Sequence, residues 1–288
     1  MMRGLHTPVR AIRRRVFKEV AQLGFKADAD TLLADMEAIP YAIVNEDSEK
    51  YRESVYRARA IVRERLRLAM GLSLRPENKP VHLTAGVEAS NISEKYYEPP
   101  LMQVIPSACE SCEENKYEVS NICKGCLAHP CQEVCPKDAI SMVNGRSYID
   151  QEKCIKCGKC KSVCPYDAIA KKERPCQKAC GVNAIKSDKM GRAYIDNEKC
   201  VSCGMCMVSC PFGAISDKSQ IFQLARALSE GENVIAEIAP AFVGQFGDNI
   251  TPRNIKAALR ELGFSEVYEV ALGADIGAIA EAHHYVDK

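Results

Sequence analysis

Sixteen cysteines, all between Cys109 and Cys210, are the residues of this chain best able to do chemistry. Two runs share one spacing, Cys154-x2-Cys157-x2-Cys160-x3-Cys164-Pro165 and Cys200-x2-Cys203-x2-Cys206-x3-Cys210-Pro211. Three closely spaced thiolates on a tight loop can take three corners of a cubane, and the fourth ligand must come from a remote strand or helix. That is the spacing of paired [4Fe-4S] clusters that exchange their fourth ligand. Zinc sites prefer two C-x2-C pairs separated by a loop and have no use for a three-cysteine run followed by Cys-Pro. Disulfides would require an oxidising compartment.

An internal repeat organises the thiols. Residues 131–169 and 176–215 align with one inserted residue, and every cysteine is matched. Two short pairs, Cys109-x2-Cys112 and Cys123-x2-Cys126, lie ahead of these units and bring each to eight cysteines, the requirement of two clusters. Symmetry then groups Cys123, Cys126, Cys131 and Cys164 as cluster 1, and Cys154, Cys157, Cys160 and Cys135 as cluster 2. Cluster 3 takes Cys109, Cys112, Cys176 and Cys210, and cluster 4 takes Cys200, Cys203, Cys206 and Cys180. The competing grouping puts Cys109, Cys112, Cys123 and Cys126 together and strands Cys131 and Cys176. Four [4Fe-4S] clusters with no evident substrate pocket make an electron conductor, with no catalytic residue among the candidates. Ile155, Val163, Ile169, Val201, Val208 and Ile215 are expected to shield the clusters. Met205 and Met207 read as packing residues, and His129 as a neighbour of the sulfurs rather than a ligand.

The remaining elements must position this domain. The 288 residues, 47% hydrophobic and 27% charged with a formal charge of +1, exclude a disordered chain and a broadly nucleic-acid-binding one. The basic start lacks an apolar stretch, so it is no signal peptide, and no window is apolar enough for a membrane span. A cytoplasmic protein without membrane or nucleic-acid partners is expected. Residues 1–75 read as a helical region, with helices near 9–23 and 30–38, the latter closed by Pro40. A third carries Val55, Ala58, Val62, Leu66 and Ala69 on one side, stops at Gly71, and has arginines between that read as a solvated face or a docking surface. Residues 76–108 read as an irregular linker, 109–217 as a ferredoxin-like tandem domain, and 218–288 as a partial βαβ segment. In that last segment residues 216–231 form a helix ended by Gly231, NVIAEIAP a buried strand, TPRNIKAALRELG a helix capped by Thr251, SEVYEVAL a parallel strand, and ADIGAIAEAHHYV a helix. His283 and His284 sit at that helix's solvated end. The fold class is thus α+β, with apolar edges expected around Val234–Ile238 and Val267–Leu272. Gly244-Gln-Phe-Gly247 is too short for a dinucleotide turn.

RPCQKACGVNAI, KCVSCGMCMVSCPFGAISDKSQI, IAPAFVGQFG followed by TPRNIKAALRELGFSEVYEVALGADI, and the leading IRRRVFKEVA and IPYAIV resemble the iron-only ([FeFe]) hydrogenases with a double ferredoxin region. The resemblance implies an electron relay between a ferredoxin, or another redox protein, and an H-cluster where protons are reduced or hydrogen is split. In that family four further cysteines, in motifs of the TSCCP, PC-x2-K and C-x2-GC type, hold the H-cluster; none occurs after Ala274-Asp275-Ile276. The chain therefore reads as the electron-input portion plus the first layer of a catalytic domain whose remainder, or a partner subunit, lies elsewhere. Alone it is expected to be inactive toward hydrogen. The alternative is a stand-alone polyferredoxin subunit of a larger oxidoreductase.

Overall fold

The Ser54 hydroxyl accepts the Arg57 backbone N–H at 3.2 Å, and the helix Val55–Ala69 that it caps buries Ala58, Val62, Leu66 and Ala69. The computed structural model describes residues 5–26, 29–45, 52–90, 99–247 and 249–286. It divides into two units, one of residues 1–10 and 100–217, the other of residues 11–99 and 218–288. The whole is α+β.

In the second unit the helices Pro8–Lys26, Ala29–Ile43, Val55–Ala69 and Ile221–Ser229 enclose a core of Val16, Val20, Met36, Ile43, Val62, Leu66 and Phe222. Phe222, the fifth residue of the segment 218–288 read as a partial βαβ unit, is wholly buried there. Gln223 fixes its helix by donating from Nε2 to the Met70 and Ser90 carbonyls, each at 3.0 Å. Gly24 lets this helix approach, since a Cβ at that position would lie 2.7 Å from the Phe222 carbonyl oxygen.

Two expectations for these helices are corrected. Pro40 lies inside Ala29–Ile43 rather than closing it, and its carbonyl accepts the Val44 N–H at 3.1 Å. The chain continues because Ile39, Ile43 and Val44 are buried, and that packing outweighs the one bond a proline forfeits. Nor are all the arginines of Val55–Ala69 solvated, for Arg65 and Arg67 are buried. Arg67 donates to the carbonyls of Ser73, Leu83 and Ala85 at 2.9, 2.6 and 2.8 Å, and Glu64 pairs with Arg75 at 2.6 Å, so this face clamps the segment that follows the helix.

Further along, Ile235–Ile238 and Glu266–Glu269 pair in parallel around the helix Pro252–Glu261. Thr251 and Asn254 close that helix with a reciprocal capping box. The strand Ile235–Ile238 is not the buried one expected, as Ala236 alone is buried and Ile235 is 52% exposed. The second strand is shorter than expected, because Val270–Val286 is helical and includes Val270, Ala271 and Leu272. Val270, Leu272, Ile276 and Ile279 are exposed on it.

The first unit is built from short antiparallel pairs. Lys116–Val119 pairs with Ile169–Lys172, Ile140–Val143 with Arg146–Ile149, and Ile185–Ser187 with Ala193–Ile195. Asn144 and Gly145, both at positive φ, close the tightest hairpin. Met102–Val104, within the stretch read as irregular, is a strand against Ile215–Asp217. Two separate cores result, one around Tyr117, Ile140, Ile149 and Ile169, the other around Met102, Ile185, Ile195 and Ile215.

Candidate metal centres

One six-residue turn occurs four times, as CPKDAI from Cys135, CPYDAI from Cys164, CGVNAI from Cys180 and CPFGAI from Cys210. In each, the fourth residue is left-handed: Asp138, Asp167, Asn183 and Gly213 at φ 46, 47, 52 and 60°. Asp, Asn and Gly are the residues that enter this region at least cost. The turn swings the next amide back onto the thiol. Ala139, Ala168, Ala184 and Ala214 donate their N–H to the sulfurs of Cys135, Cys164, Cys180 and Cys210 at 3.3, 3.4, 3.2 and 3.4 Å. The alanine and the isoleucine after it are buried in every copy, and the isoleucine opens a strand.

The other thiols are set by a second recurring device. Ser111, Gly125, Lys156 and Ser202, each just before the second cysteine of a C-x2-C pair, are left-handed at φ 46, 58, 59 and 54°. At Gly125 no side chain fits, since a Cβ would stand 2.1 Å from the Gly145 carbonyl oxygen. Cys131, Cys160, Cys176 and Cys206 ride on one-turn helices, Pro130–Glu133, Lys159–Ser162, Pro175–Lys178 and Met205–Ser209, and all four are buried.

Three cavities, each of about 320 to 340 Å³ including the part open to solvent, are lined by four thiols apiece. Cys123, Cys126, Cys131 and Cys164 line one, Cys135, Cys154, Cys157 and Cys160 another, and Cys109, Cys112, Cys176 and Cys210 the third. Cys180, Cys200, Cys203 and Cys206 form a fourth gathering: burial pushes the Cys206 thiol up to about 11, and the charges of the other three add to the rise. Burial, then the charge of Cys210, pushes Cys176 up to about 12, while Arg174 opposes the shift. Cys123 moves the other way, lowered foremost by the Ser147 backbone amide.

None of the sixteen thiols is in a disulfide. Among the described residues no three Cys, His, Asp or Glu side chains converge closely enough to hold one metal ion. A zinc site needs thiolates converging at about 2.3 Å on a point. Thiols that stand around an apolar void, with amides aimed at sulfur, instead fit a cluster whose irons are spread over several corners.

Arg174, which the cysteine spacing does not single out, is 3% exposed beside the third cavity. Its guanidinium donates to the carbonyls of Cys112 and Gly191, each at 2.8 Å from Nη2, and to Ser187 Oγ at 2.8 Å, tying the Cys109–Cys112 loop to the hairpin after Ile185. The signal was its place one residue before Pro175-Cys176, where the first repeat has His129. His129 itself is left-handed and caps Pro130–Glu133 through its backbone. Of the expected shields, Ile169 and Ile215 are buried, whereas Ile155 and Val201 are 56% and 65% exposed. They project from loops that must reach around the cavities, where the pleat that buries the strand isoleucines is absent. Met207 packs against the second core.

Residues 232–288 match the family described as iron only hydrogenase large subunit, C-terminal domain; residues 123–174 match the LdpA Fe-S cluster-binding domain, and residues 193–216 the 4Fe-4S binding domain. An uncharacterized ferredoxin of Methanocaldococcus jannaschii is 33% identical over 99 residues, 28% of this chain and 63% of that protein. The electron transport protein HydN of Escherichia coli K12 is 37% identical over 71 residues, 24% of this chain and 41% of that one. A 7Fe ferredoxin of Hydrogenibacillus schlegelii is 43% identical over 53 residues, 18% of this chain and 68% of the ferredoxin. The first two relatives are thus spanned over less than two thirds of their length. No helix among the described residues is long and apolar enough to cross a membrane.

Proposed function

The chain belongs to the ferredoxin-type iron-sulfur electron-transfer proteins, and from that premise we propose that it is a four-cluster relay serving a hydrogenase-type catalytic domain. Each of the four thiol sets would hold one [4Fe-4S] cluster, which supplies a one-electron carrier when bound. The observation that carries this reading is the fourfold turn, which presents the thiolates of Cys135, Cys164, Cys180 and Cys210 with an amide already aimed at sulfur. What supports the grouping is that the same four sets, and not Cys109 and Cys112 with Cys123 and Cys126, stand around common cavities or share their charges.

The protein's own residues do three things in such a relay. Thiolates hold the irons, amide donors stabilise negative charge on sulfur, and buried Ile140, Ile169, Ile185 and Ile215 keep water away. Because two thiol sets lie in each apolar core, electrons would pass within a core and then between cores. The match of residues 232–288 to a hydrogenase domain supports hydrogen chemistry as the destination, on residues outside the four sets. A second reading, a polyferredoxin subunit of another oxidoreductase, is favoured by the relatives named as ferredoxins and electron transport proteins.

Spectroscopy of single variants tests the grouping. Cys109→Ser and Cys210→Ser should alter one common electron paramagnetic resonance signal of the reduced protein, and Cys123→Ser and Cys164→Ser a different one. A signal altered by both Cys109→Ser and Cys123→Ser would overturn the assignment.

A further inference from the structure

Cys157 and Cys203 are the exposed cysteines of the chain, and they occupy matching places in the two repeats. Their surroundings differ in one respect. Around Cys157 stand Lys156, Lys159 and Lys161, all exposed; the matching residues around Cys203 are Ser202, Met205 and Met207. Lys137 and Lys159 line the mouth of the Cys157 cavity beside Ile155. Lys137 corresponds to Val182, and the charge it adds is offset by Asp138 in place of Asn183. Lys153 faces Asp150 at 3.9 Å as Lys199 faces Asp196 at 4.0 Å, and Glu152 matches Glu198; Lys186, which stands where the first repeat has Ser141, is neutralised by Asp196 at 2.8 Å. In the immediate rim, the Cys157 port thus carries three exposed lysines where the Cys203 port has none.

A second observation concerns Lys156 alone. It holds φ 59°, where the equivalent positions use Ser111, Gly125 and Ser202. A non-glycine residue in the left-handed region costs conformational energy, a cost Lys156 shares with Ser111 and Ser202, so what distinguishes it among the four is its charge. Here the side chain adds positive charge beside the exposed thiol.

Resting on the relay reading above, we propose that the rim of Cys157, formed by Lys156, Lys159 and Lys161 around exposed Ile155, is the docking surface for a small acidic electron carrier, and that Cys203 is not. A ring of lysines about an apolar centre steers a carrier whose carboxylates surround its own redox centre, raising the encounter rate in a salt-dependent way. The neutral rim of Cys203 offers no such steering.

The test uses the full cluster-loaded chain, mixed rapidly with a strongly acidic two-cluster ferredoxin or with reduced methyl viologen, a small carrier that needs no docking surface. In K159Q/K161Q the rate constant with ferredoxin should fall about tenfold at low ionic strength and lose most of its dependence on salt, with the viologen rate unchanged. K137Q/K161Q, which leaves the left-handed turn untouched, should show a smaller loss and guards against a defect in the loop. Charge reversal to Glu at Lys159 and Lys161 should slow ferredoxin further and favour a basic cytochrome. An unchanged ferredoxin rate or salt slope in these variants overturns the docking proposal while leaving the relay intact. Failure of the unaltered protein to accept electrons from viologen overturns the relay, and the docking proposal with it.

Discussion

At the scale of single residues, sulfur was legible and its supports were not. Cysteine spacing is a local constraint set by cluster size, so Cys154, Cys157 and Cys160 are recognisable without knowing the fold. Arg174 was not, because an arginine in sequence is a surface residue until partners from distant segments bury it. Its acceptors at Cys112 and Gly191 lie 62 and 17 positions away. The guanidinium holds the Cys109–Cys112 loop in place, so Arg174→Leu should leave several buried carbonyls without donors. We expect a loss of about 3 kcal/mol or more in chemical denaturation, together with loss of the cluster proposed for Cys109, Cys112, Cys176 and Cys210 while the other proposed sets stay loaded. Unchanged iron content would show that the loop is held by other means.

Among the elements, the strongest features are the four turns. Their left-handed residues could have been anticipated from the recurrence of Asp, Asn or Gly three places after a cysteine and before Ala-Ile. Where propensity competed with packing at Pro40, packing won. Pro40 stays helical because buried neighbours follow it, whereas Val270 to Leu272, whose apolar run reads equally well as strand, join a helix on which Val270 and Leu272 are exposed, so packing does not account for that difference. A swap within the turn measures what its geometry contributes. Asp138→Gly should be nearly neutral, as Gly213 already serves the same position, whereas Asp138→Val should cost about 1 to 2 kcal/mol through forced left-handed backbone. Thermal denaturation of the two variants compares them directly, and equal melting temperatures would show that the turn does not depend on its fourth residue.

Across the whole molecule, the α+β class and the cysteine-rich region follow from periodicity and spacing. The division into units does not, because it depends on which segments share a core. Phe222 lies only a dozen residues after the last cysteine, yet its side chain completes the core of Val16, Val20, Met36 and Leu66. No pattern local to Phe222 indicates partners so far back in the chain. Phe222→Ala should therefore destabilise residues 11–99 and 218–288 by about 3 to 5 kcal/mol while the cysteine sets keep their iron. Hydrogen exchange resolved along the chain would locate the effect, and loss of protection confined to residues 100–217 would contradict it.

The central claim is that sixteen thiolates in four sets hold four cubane clusters. Iron and acid-labile sulfide counted on the anaerobically purified full chain, with Mössbauer spectra of the same sample, test it most directly. The account predicts about sixteen iron and sixteen sulfide per chain, all in [4Fe-4S] form. Zinc bound in place of iron, or a fully loaded protein with only about eight iron, would contradict it.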